Sequence, residues 1–227
     1  MTSGFYPGTS LDGVVITRPS CEAIRDGGAA GVPFLAGATK DEGTFLAPAY
    51  ALNDQLVMAM VFGLAASTGR DDGTTYREYL DSTIGMANGL ECLTRAWFDL
   101  FRASAVRVAA TASLHGAGGW IYDFELETDH ELGVTHGADV PFTFDWVSLG
   151  ESMEFTHPAS PEHRDLAKRW VATLVEFART GSPNGNGLPD WPRYEPDDFR
   201  SLRFVRSPGI VDRSDGPMLD IYRVPAD

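Results

Sequence analysis

The feature that most constrains this chain is a long helical pattern, LTRAWFDLFRASAVRVAATASLHG (93–116), set between two strand-like runs. Leu93, Trp97, Leu100, Phe101, Ser104, Ala105 and Val108 recur at about 3.6-residue spacing and predict one core-facing stripe, with Gly116 placed to end the helix. Before it, VPFLAGA (32–38) is a compact apolar run that ends in the polar turn TKDEG and reads as a buried strand. After it, GGWIYDFEL (118–126) alternates Trp120, Tyr122 and Phe124 against Ile121, Asp123 and Glu125, a strand signature. A second long helix is predicted over 161–180. Ser160 and Pro161 make a good start for it, Leu166, Trp170, Leu174 and Phe177 share a face, and Gly181 closes it. Shorter helical patterns cover 56–66 and TYREYL (75–80), and SLRFV (201–205) reads as another short strand before a polar tail. Strands alternating with long helices indicate an α/β fold. Few strands are visible, so the expectation is an incomplete sheet with flanking helices.

Composition narrows the partners. Eighteen Lys and Arg stand against 32 Asp and Glu, a formal charge of -14. So acidic a chain repels a phosphate backbone, which argues against nucleic acid. The two cysteines, Cys21 and Cys92, build neither a metal spacing nor a disulfide framework, and free thiols are the plainer reading. The longest apolar run, 56–66, is too short for a bilayer, which takes ~20 residues. No basic start and apolar core mark a signal peptide. A cytoplasmic protein that neither spans a membrane nor carries a cofactor or metal is expected.

Chemistry is most plausible where strands end. GATKDEGTFL places Asp41 and Glu42 just after the first strand, and LGVTHGADVPFTF places His136 after the Trp120 strand. Ligand and catalytic groups in α/β sheets gather at the carboxyl ends of strands. An acid oriented on an imidazole is two-thirds of a nucleophile–base–orienter triad. On spacing alone the plainer alternative is a solvated carboxylate pair and a structural histidine. The other four histidines offer less. His115 sits at a helix C-terminus, His130 lies between Asp129 and Glu131, His157 precedes Pro158, and His163 is in a helix's first turn. A nucleophile elbow needs glycine two before and two after the serine, and no serine or cysteine here has both. Ser152 in GESME has Gly150 but then Glu154, follows no strand, and comes after the histidine; Ser10 has Gly8 but then Asp12. DGGAAG (26–31) has paired glycines, yet a strand follows it where an oxyanion loop needs one before.

Four segments in order resemble the C-terminal part of a type-B carboxylesterase, a family of the α/β-hydrolase superfamily. They are YPGTSLDGVVITRPSCEAIRDGGAAGVPFLAGATKDEGTFL, ASAVRVAATASLHGAGGWIYDFEL, LGVTHGADVPFTF and FARTGSPNGNGLPDWPRYEP. The resemblance implies that residues 1–227 form the C-terminal part of one carboxylesterase domain. It implies Glu42 as the triad acid and His136 as the general base, with Asp41 a neighbour of the acid. Asp139 stands where the family commonly has glutamate. The resemblance also implies a small-molecule carboxylic ester as substrate, and an N-terminal half carrying the catalytic serine and the glycine-rich oxyanion loop. Neither feature is within these 227 residues. The expected function is therefore serine ester hydrolysis by family, with the chain inactive alone. The alternative is a non-catalytic binding module on the same fold, which the pairing of Glu42 with His136 disfavours. A complete small enzyme using Ser152 is the remaining reading.

Overall fold

The structure, a computed structural model, describes residues 11–46, 55, 59, 61, 63, 74–85, 89–147, 160–195 and 198–212. Its helices are α1 (Ser20–Arg25), α2 (Thr74–Thr83), α3 (Gly89–Leu114), α4 (Val140–Thr143) and α5 (Pro161–Thr180), with a 3-10 turn at Thr44–Leu46. Its strands are β1 (Phe34–Thr39), β2 (Gly119–Phe124), β3 (Arg200–Phe204) and β4 (Gly209–Asp212). They form one sheet in the order β1-β2-β3-β4, with β1–β2 and β2–β3 parallel and β3–β4 antiparallel. Parallel neighbours need long crossovers. α3 makes the first and the α4–α5 region the second, so the α/β expectation from the strand–helix alternation holds. The predicted helix at 56–66 falls mostly outside the described residues, of which Ala59, Val61 and Gly63 are helical. The region 150–158 also lies outside them.

The alternation in β2 divides two buried faces rather than core from solvent. Ile121 joins Leu93, Ala96, Val106 and Ala110 of α3 and Tyr76 and Leu80 of α2. Trp120 and Phe124 join Phe142 of α4, Leu166 and Trp170 of α5, and Phe204 of β3. A strand buried on both faces is what a parallel sheet covered by helices requires. The expected stripe on α5 packs as read: Leu166 and Trp170 are buried, and Leu174 and Phe177 lie against the same cluster. Ser160 Oγ accepts from the His163 amide at 3.0 Å, satisfying a free N-terminal amide. Gly181 ends the helix in the left-handed region at φ 76°.

The stripe on α3 holds in part: Leu93, Trp97 and Ala105 are buried, and Leu100 and Phe101 pack against the core. Ser104 is exposed, while Leu100, Phe101 and Val108 are only half-buried. The buried face is wider than expected: it also includes Ala96, Ala103, Val106 and Ala110, and takes in two charged residues, Asp99 and Arg102. Both have partners that make burial tolerable. Tyr76 Oη donates to Asp99 Oδ2 at 2.8 Å, and Arg95 Nε donates to Oδ1 at 2.8 Å. Arg102 Nη1 lies 3.0 Å from Asp123 Oδ1 on β2, whose Oδ2 accepts from Ser201 Oγ on β3 at 2.7 Å. α1 and β4 were not expected. β4 is four residues long, too short to show periodicity, and it forms because β3 offers it an edge.

Candidate active site

The site lies where β1 and β2 end. β1 runs into the turn at Lys40–Glu42, and the chain leaving β2 forms the loop that carries His136. The two segments meet across a single parallel bridge between Asp41 and Thr135. Glu42 is almost wholly buried. Its Oε1 accepts from the Thr39 amide at 2.8 Å, and its Oε2 stands 2.5 Å from His136 Nδ1. The structure thus brings together two sequence-predicted residues that are 94 positions apart. The last amide of β1 aims the carboxylate, which leaves its other oxygen for the imidazole.

The contacts select the chemical state of His136. A hydrogen bond from Nδ1–H to a carboxylate fixes the tautomer and favours the charged ring. The imidazole pKa is raised, first by the hydrogen bond to Glu42; burial works against this, and the charges of Glu42 and Asp139 add to it. The side chain remains 41% exposed, so a reacting group can reach it. Two aromatic rings flank the imidazole: Phe45 of the 3-10 turn at 5.3 Å and Phe101 of α3 at 5.1 Å between centroids. Trp97 stacks behind Phe101 at 5.8 Å. Phe45 follows Glu42 by three residues and was within reach of sequence reasoning. Phe101 was read only as part of the core stripe, and nothing in its spacing links it to a histidine 35 positions on (136 − 101).

Asp139 is the second carboxylate near the ring. Tyr122 Oη donates to its Oδ2 at 2.8 Å. Burial raises the Asp139 pKa, opposed by that hydrogen bond, and burial followed by Asp139 pushes the Tyr122 phenol well above its ordinary value. Asp41, the other sequence candidate, does not touch the imidazole. Its Oδ2 accepts from the Val134 amide at 2.9 Å.

The other described histidines have partners of their own. His115 Nε2 lies 2.9 Å from the Arg25 carbonyl oxygen, His130 Nδ1 accepts from the Leu132 amide at 3.2 Å, and His163 packs edge-on to Phe142. His157, Ser10 and Ser152 fall outside the described residues. Among the described residues no group of three or more His, Cys, Asp or Glu could hold a metal ion, and no helix is long and apolar enough to cross a membrane. Cys92 is a buried thiol whose Sγ lies 3.6 Å from the Gly85 carbonyl oxygen.

Residues 2–214 match the sequence profile of the carboxylesterase family. Para-nitrobenzyl esterase of Bacillus subtilis (strain 168) is 27% identical over 201 residues, covering 85% of this chain and 38% of that enzyme. Carboxylesterase 1C of Rattus norvegicus is 24% identical over 206 residues, covering 82% of this chain and 36% of that enzyme. Among solved structures, the carboxylesterase EST55 of Geobacillus stearothermophilus superposes with a TM-score of 0.72 at 25% identity, covering 95% of this chain and 45% of that one. The chain therefore spans about two fifths of the length of the relatives it matches. With a match running along nearly all of the sequence and the same α/β architecture beneath it, the chain belongs to the carboxylesterase family.

Proposed function

We propose that Glu42 and His136 are the acid and general base of a serine carboxylic ester hydrolase, and that residues 1–227 form the C-terminal part of its single catalytic domain. The nucleophilic serine and the oxyanion donors then come from polypeptide outside these residues. The observation that carries the reading is the Nδ1–Oε2 contact at 2.5 Å, made by a carboxylate that a strand-end amide holds from the other side. With Nδ1 tied to Glu42, Nε2 is the nitrogen that exchanges protons. As the serine Oγ–C bond forms at the ester carbonyl, the hydroxyl proton passes to Nε2. It then leaves on the departing alcohol, and water repeats the cycle on the acyl-enzyme. Glu42 keeps the tautomer and stabilises the imidazolium.

The test is complementation. Alone, the chain should hydrolyse a chromogenic short-chain ester no faster than a histidine-containing control protein and take no label from a serine-reactive organophosphonate. Co-expression with the N-terminal part of a related esterase should bring turnover that His136→Ala abolishes. Glu42→Gln should lower it by orders of magnitude with the fold intact, since losing the correct tautomer costs ~10⁴ in kcat in the best-studied triad. Covalent labelling of Ser152 in the lone chain would overturn the reading.

A further inference from the structure

We infer that Asp41 and Thr44 are positioning residues, which clasp the loop before His136 and so set where the imidazole stands against Glu42. This rests on the reading of His136 as general base. The loop is held in part by its own packing: Val134 and Ala138 join the core, and the Gly133 and Ala138 amides close turns on the His130 and Thr135 carbonyls. Gly133 and Gly137 both take positive φ, 62° and 79°, and the Asp41–Thr135 bridge joins this stretch to the turn after β1. The clasp fixes the loop's backbone against the turn that carries Glu42. The Asp41 amide donates to the Val134 carbonyl at 3.0 Å, and the Val134 amide returns a bond to Asp41 Oδ2 at 2.9 Å. Thr44 Oγ1 lies 2.6 Å from the Leu132 carbonyl and 2.8 Å from that of Asp41, within reach of both acceptors. Two segments nearly a hundred residues apart are thus pinned at Leu132, Val134 and Thr135, immediately before His136.

The neighbouring carboxylates of KDEG divide the task. Glu42 holds the ring, and Asp41 holds the backbone that carries it. Gly133 supports the assignment, because a Cβ there would run into Asp41 Oδ2. The glycine is needed for the space the carboxylate fills as well as for its φ. Thr44 also opens the 3-10 turn whose next residue, Phe45, packs against the imidazole, so a slip at Thr44 also moves a contact of the ring.

The test uses the full 227-residue chain and reads His136 directly by NMR, through its ring C–H titration and the downfield signal of the Nδ1 proton, assigned with His136→Gln. The charged groups facing the ring are Glu42 and Asp139, and both stay in every variant. Asp41→Ala and Thr44→Val should bring the titration back toward the ordinary imidazole value of about 6.5 and lose the downfield signal. Asp41→Asn, which keeps an oxygen for the Val134 amide but removes the charge, should behave as wild type, as should Thr44→Ser. Thr44→Val is nearly isosteric and carries the test should Asp41→Ala not fold. Wild-type behaviour in Asp41→Ala and Thr44→Val overturns the inference. So does an equal loss in Asp41→Asn and Asp41→Ala, which would assign the effect to charge. An unshifted wild-type His136 with no downfield proton would instead overturn the general-base reading itself.

Discussion

At the residue scale the consequences of the Glu42–His136 contact depend on sign. The folded pKa of His136 is raised above the unfolded value, chiefly by the hydrogen bond to Glu42. Its stabilising contribution is therefore fully present below about pH 6.5 and is lost as pH rises through the folded pKa. The exposure of the ring lets solvent screen the pair, so the effect on stability is small. In Glu42→Gln the His136 titration should fall toward its ordinary value, and the slope of stability against pH across the neutral range should flatten. Parallel denaturant melts from pH 5.5 to 8.5 on the two proteins check this; identical slopes and titrations would show that Glu42 does not act on the ring. Activity in a complemented enzyme should run the other way and rise with pH as the imidazole gives up its proton. Asp41, Glu42 and His136 could be singled out from the sequence because they follow strand patterns, and the resemblance alone put Glu42 ahead of Asp41. Phe101 could not, because it faces the ring only once α3 has packed across the sheet.

At the scale of elements, a buried polar network ties α3 to the sheet. Arg102 of α3, Asp123 of β2 and Ser201 of β3 are all buried, and the guanidinium and the hydroxyl take opposite oxygens of one carboxylate. Removing one member of a buried pair leaves an uncompensated charge and costs ~3–5 kcal/mol, whereas replacing both with apolar groups of similar volume is often neutral. Arg102→Met should therefore destabilise the chain by that amount, and Arg102→Met with Asp123→Leu should recover most of it. Chemical denaturation measures both. A mild single mutant, or a double mutant no better than the single, would show that the pair does not govern how α3 docks. The same network explains why the helix was legible while its buried face was only partly so: apolar periodicity leaves charged residues out of a core stripe until a partner on another element is known.

At the scale of the whole molecule, β1 is the terminal strand of the sheet as described, with β2 as its partner. The strand that positions the acid is thus an edge, and an unpartnered edge is a template for association. Val32 just before it is 51% exposed, and Phe144 after α4 is 63% exposed. If the rest of a carboxylesterase domain packs here, the 227-residue chain on its own should bind a hydrophobic dye or self-associate, and a co-expressed N-terminal part should suppress both. Dye fluorescence and light scattering check this. A monodisperse, dye-negative monomer with a cooperative melt would favour an independent module over part of a larger domain.

The sequence by itself determined what is local and periodic. It was enough to identify β1, β2, β3 and α5, the Ser160 cap and the Gly181 stop. The α/β class and the strand-end candidates Asp41, Glu42 and His136 could be read from it too, because backbone propensity and strand-end turns are written within short windows; the roles given to Glu42 and His136 rest on the family resemblance. Tertiary structure alone decided the register of β1 against β2 and the antiparallel β4. It also decided the rotation of α3 that buries Arg102, the clasp of Asp41 and Thr44 on the histidine loop, and the rings beside the imidazole. Each of these depends on which side chain faces which across a distance of many residues, and such pairings exist only after the chain has closed on itself.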